Sequence, residues 1–128
     1  MRRLGLLKLG LLGLTVFAAA RVQAGSAVAS GPFGQHVIVA GKQYSKDAAI
    51  KKALALWHHQ WTGNPKILAS SDVVGEGAVA GWNNGKAWAI GASAGKLTAA
   101  EAEASAIKYC LKHCPKGAKP TILRQFRG

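Results

Sequence analysis

Two stretches of this chain repeat one pattern, and that repetition limits the folds open to it. From Ser45 the text runs Ser-Lys-Asp-Ala-Ala-Ile-Lys-Lys-Ala-Leu-Ala-Leu-Trp-His-His-Gln-Trp. From Thr98 it runs Thr-Ala-Ala-Glu-Ala-Glu-Ala-Ser-Ala-Ile-Lys-Tyr-Cys-Leu-Lys-His-Cys. Aligned without a gap, Ala49 meets Ala102, Ala53-Leu54 meets Ala106-Ile107, Trp57 meets Cys110 and Trp61 meets Cys114. A Gly or Pro break follows each stretch, then a short apolar run, Lys66-Ile67-Leu68 and Thr121-Ile122-Leu123. The pattern implies an internal β-α-β repeat, although Ala-rich helices also resemble one another through composition alone.

Both stretches carry helix signals. Ser45 and Thr98 stand where N-caps belong, and Glu101 completes a capping-box spacing with Thr98. Asp47 suits the positive end of the first helix dipole. Ile50, Ala53, Leu54, Trp57 and Trp61 recur at three and four, as do Ala99, Ala102, Ala106, Ile107, Cys110 and Cys114. Gly63 and Pro115 end the two helices.

Strands are expected at Val37–Val39, Ile67–Ala69, Ala78–Trp82, Lys86–Ile90 and Pro120–Phe126. Asn84-Gly85 marks a hairpin. With a two-residue turn, Ala87 would face Trp82 and Trp88 would face Gly81. Val79, Trp88 and Ile90 would then form a bulky face for the helices. The alanine face, Ala78 and Ala80 with Trp82, would be left half-exposed or offered to a partner. Gly75-Glu76-Gly77 and Gly91 to Gly95 lack phosphate-loop or dinucleotide spacing and read as turns. The expected fold is therefore α+β: one small antiparallel or mixed sheet of about five strands, with two helices packed on one face.

The chain begins with the marks of an address. Arg2, Arg3 and Lys8 precede an uncharged apolar stretch from Leu9 to Ala20, and Val22-Gln23-Ala24 offers a cleavage site, so residues 1–24 read as a signal peptide. The apolar run is shorter than the roughly 18 residues a spanning helix needs, so no membrane span is expected after cleavage. Gly25 to Gly34 reads as a flexible leader, and residues 35–128 as a single domain. The expected localisation is exported, periplasmic or secreted. Removing residues 1–24 leaves 13 basic and 5 acidic groups, a net charge of +8. Such an excess favours polyanionic partners. An exported protein seldom meets nucleic acid, so the expected partner is an acidic protein or an anionic envelope component.

Five carboxylates and two cysteines leave little for paired-carboxylate catalysis, an oxygen-rich Ca²⁺ loop or a four-thiolate zinc site. No cofactor is expected. In an oxidising compartment Cys110 and Cys114 are by default a disulfide. Their spacing places the Cβ atoms roughly 5–6 Å apart on a regular helix, so the turn before Pro115 would have to open. The sharper alternative adds His113, with His58 or His59 as fourth ligand, to make a small metal or thiol site. Trp57 and Trp61 read as core residues that leave His58 and His59 toward solvent. Lys108, Lys112, Lys116, Lys119, Arg124 and Arg127 concentrate late in the chain as a candidate cationic docking patch, or as an ordinary solvated face.

Glu76-Gly-Ala-Val-Ala-Gly-Trp82, Gly85-Lys-Ala-Trp-Ala-Ile-Gly91 and Ala99-Ala-Glu-Ala-Glu-Ala104, leading to Cys110 and Cys114, resemble domain-of-unknown-function family 4189. Its members are small exported bacterial proteins with a Gly-Ala hairpin, an Ala-Glu-Ala helix and nearby cysteines. The resemblance spans roughly residues 75–126 and implies compartment and fold without a chemistry. The resulting expectation is a non-catalytic, exported bacterial binding domain acting through its cationic surface. A periplasmic inhibitor or immunity-type protein is the alternative, and the Cys110/His113/Cys114 metal or thiol protein another.

Overall fold

Alternating alanine and valine on two equivalent strands organises the molecule. The computed structural model describes residues 23–128. Its elements run β1 (Gln23–Ser30), β2 (His36–Gly41), α1 (Lys46–Gln60), β3 (Lys66–Val73), β4 (Glu76–Asn83), β5 (Trp88–Lys96), α2 (Ala99–Leu111) and β6 (Thr121–Arg127). The strands form two three-stranded antiparallel sheets, ordered β2-β1-β3 and β5-β4-β6. Each half of the chain is thus a β-β-α-β unit of identical strand order.

Period-two alternation sends neighbouring side chains to opposite faces of a strand. On β1, Ala27 and Ala29 meet α1 through Ala49, Ala53 and Trp57. On β4, Ala78 and Ala80 meet α2 through Ala102, Ala106 and Cys110. The residues between them, Val28 and Val79, point the other way and meet in a central layer with Ala92. Ile38, Leu68, Ile90 and Phe126 pack around that layer. The sheets therefore lie face to face, and the two helices cover opposite outer faces.

This corrects the expectation of a single five-stranded sheet with both helices on one side. The error traces to Gly25–Gly34. Read as a flexible leader, its first part is the central strand β1, paired with both β2 and β3. Residues 24–30 are all buried. Small residues there reflect close packing, not mobility. The expected signal segment lies outside the described residues apart from Gln23 and Ala24, which open β1.

The hairpin is also reassigned. Asn83 pairs with Trp88, so the loop spans four residues, 84–87. Asn84 organises it: its Oδ1 accepts from the N–H groups of Lys86 (2.9 Å) and Ala87 (2.8 Å). Trp82 consequently pairs with Ala89, and Gly81 with Ile90. The alanine face carries the helix, and Val79 and Ile90 face the opposing sheet, the reverse of the expected arrangement. Glu76, Gly77 and Gly91 to Gly95 lie in strands β4 and β5, not in turns.

The paired helical stretches behave as aligned. Ala48 N–H donates to Ser45 Oγ and Glu101 N–H to Thr98 Oγ1, each at 3.1 Å. Ala49, Ala53 and Trp57 are buried on α1 at the positions of Ala102, Ala106 and Cys110 on α2. Their cores differ in volume. Trp57 fills the first half, with its ring 4.7 Å from that of Trp61 and tilted 43° to it. In the second half α2 drops close to the sheet: a Cβ on Gly91 would collide with the backbone of Cys110 and Ala106. Ser93 Oγ, buried beneath the helix, donates to Ala102 O at 2.6 Å.

Gly91→Ala therefore forces α2 off β5. Its expected cost is about 2–3 kcal/mol in urea unfolding. Gly63→Ala, at φ +95° with nothing within 4 Å of a new Cβ, should cost about 1 kcal/mol through backbone conformation alone.

Candidate functional site

Four of the five carboxylates are engaged locally, and Glu103 lies within α2, so the basic groups stay in large excess. Asp47 and Glu101 lie in the first turns of α1 and α2, where they oppose the dipoles. Asp72 Oδ1 accepts from Lys46 N–H at 2.9 Å. Glu76 meets Arg127 at 3.4 Å, the only ion pair among the described residues.

All six residues of the expected patch are exposed, but the topology divides them. Cys110 lies over Gly91, and Cys114, one turn on, packs with Trp82 and Ala89. The end of α2 therefore sits at the end of the sandwich where β4 turns into β5. Lys112, Lys116 and Lys119 follow at that end, and Lys86 joins them from the loop at 84–87. Lys112 Nζ lies 4.9 Å from the Tyr109 ring centroid. Strand β6 then runs the length of the sheet, so Arg124 pairs opposite Val79 and Arg127 opposite Glu76 at the far end. Arg127 thus stands apart from the lysines. Lys86 went unassigned from sequence because only the fold brings its loop beside the end of α2.

Beside this cationic end the two sheets part. Near their C-terminal ends β3 and β5 are in contact, with Gly95 against Ser71. Toward their first residues they separate around a cleft of about 380 Å³. Lys66 and Leu68 line it from β3, Trp88 and Ile90 from β5, and Asn64 and His113 from the adjoining turns. Its remaining wall is the β1–β2 turn. Gly31 there abuts the Trp57 ring and Gly34, at φ +80°, abuts Trp88, leaving neither room for a side chain. No sequence motif announced the cleft, since its lining comes from four separate segments.

The cysteines are neighbours without being bonded, which corrects the expected disulfide. Their sulfurs are 3.8 Å apart, and both thiols are free. Cys114 Sγ donates to Cys110 O at 3.1 Å. His113 N–H also donates to Cys110 O, and Cys114 N–H to Leu111 O, so the end of the helix tightens instead of opening. No cluster of three or more metal-capable side chains occurs among the described residues. His58, His59 and His113 are exposed. No helix among the described residues is long and apolar enough to cross a membrane.

Burial, reinforced by the adjacent Cys114 sulfur, pushes the Cys110 thiol up to about 12 from 9.0. Cys114, half-buried, should react first with iodoacetamide in the native state, and Cys110 only on unfolding. Between pH 9.0 and about 12 the unfolded chain releases the Cys110 proton while the folded chain retains it. Stability must therefore fall as pH rises through that window. The decline should be shallower in Cys110→Ala, measured by urea unfolding at each pH.

No family model matches this chain, and no curated protein or solved structure does so either.

Proposed function

We propose that this protein is an exported, non-catalytic binding domain that engages an acidic protein or an anionic envelope component through the lysine-rich end of its sandwich. The observation that carries this reading is the separation of charge. Lys86, Lys112, Lys116 and Lys119 gather around the end of α2, while the carboxylates of Asp47 and Glu101 lie at the opposite poles of their helices. Uncompensated positive charge on one pole draws polyanions and orients their approach. The export signals at residues 1–24 and the resemblance to a family of small exported bacterial proteins support the location.

The probe is labelled poly-glutamate, titrated into the full chain. Binding should be saturable in about 0.05 M salt and largely lost by about 0.5 M, as exposed charges become screened. Lys112→Glu with Lys116→Glu and Lys119→Glu should abolish it, while the charge-matched Lys51→Glu with Lys52→Glu and Arg127→Glu should weaken it only slightly. Equal loss in both variants would leave net charge as the sole determinant and remove the directed surface.

A further inference from the structure

We propose that the cleft between the sheets is a separate binding site for a small amphiphilic anion, a carboxylate carried on a compact apolar body. Its volume, about 380 Å³, falls in the range of small-molecule sites. The chemistry of its lining is sharply divided. Leu68 and Ile90 belong to the layer between the sheets, so the floor of the cleft is continuous with the hydrophobic core. Trp88, 46% exposed, adds an aromatic wall suited to apolar contact. At the mouth stand Lys66, His113 and Asn64, and no carboxylate lines the cleft. A ligand that satisfies both regions has an apolar body inward and a negative group outward.

The β1–β2 turn makes the site rigid without competing for the ligand. Gly31 N–H donates to Gln35 O at 3.1 Å, and Phe33 N–H to Gln35 Oε1 at 2.9 Å. His36 Nδ1 lies 3.1 Å from Gly34 O. These backbone groups are already engaged, so the polar anchors are the three side chains at the mouth. Because Gly31 and Gly34 rest directly on Trp57 and Trp88, the wall is held in place by the two indoles. Preformed walls reduce the ordering cost of binding. This site does not depend on the lysines at the end of α2, and it would stand even if poly-glutamate failed to bind.

Titration of the full chain with decanoate and with 2-naphthoate tests the assignment and separates a chain-like from a ring-like ligand. At least one of them should bind saturably, changing tryptophan emission and shifting the amide resonances of Gly31 and Gly34 and the Trp88 indole. Lys66→Gln combined with His113→Gln should weaken that anion about tenfold, the loss expected for charge-assisted contacts. The same variant should leave weak binding of the neutral 2-naphthamide unchanged. Lys51→Glu with Lys52→Glu, exposed on α1 and outside the cleft lining, should leave both probes unaffected. The assignment fails if neither anion saturates the protein in the millimolar range. It fails equally if the Lys66/His113 variant binds as tightly as the parent, or if the shifts map to residues 116–119 instead.

Discussion

The approach distance between helix and sheet governs this molecule. Alanines at 27, 29, 78 and 80 let each helix settle on its sheet with almost no side-chain thickness between them. Burial of so little apolar volume per contact means that stability must come from many close contacts, which dispersion rewards only at short range. Where the approach is closest, beneath Ala106 and Cys110, the strand needs glycine at position 91. Where it is wider, Trp57 fills the space. That indole is 1% exposed, and its Nε1–H has no hydrogen-bond partner among the described residues. The first half thus accepts an unsatisfied donor in exchange for volume, whereas the second uses Cys110, which is small and apolar in its thiol form.

The central layer follows from the same constraint. Once alanine faces outward to the helices, valine on the intervening position must face inward, and two such sheets bury each other. Most of both helix faces was legible in sequence because a spacing of three and four is independent of what lies beneath it, although Leu54 and Ala99, grouped with those faces, lie outside the two cores. Caps at Ser45 and Thr98 were legible because a cap is local. The equivalence of Trp57 with Cys110 was legible because both close the same row after two alanines.

The number of sheets was not legible, for a physical reason. Gly25-Ser26-Ala27-Val28-Ala29-Ser30 has the composition of a linker, and only tertiary packing makes it a central strand. Glycine and serine disfavour strands in isolation but become the best choice under a closely packed helix. The same context decided which face of the hairpin meets a helix: the four-residue loop held by Asn84 shifts the pairing by two residues and leaves the faces unchanged, but close packing of α2 selects the alanine face over the valine face. The cleft was invisible because its residues are drawn together only where β3 and β5 diverge. Of the cationic patch, Lys112, Lys116 and Lys119 could be grouped from proximity in the chain. Arg127 could not be separated from them until strand direction was known.

One consequence concerns the order in which the chain can complete itself. Val28 and Ile38 belong to the first half, yet the surface that shields them, Val79, Ala92 and Phe126, belongs to the second. Strand β4 in turn is flanked on one side by β6, which lies beyond α2 in the chain. The leading half cannot reach its native burial while the trailing half is still being made. A chain with this arrangement stays incompletely packed until both halves are present, so the two units ripen together although each has its own sheet and helix.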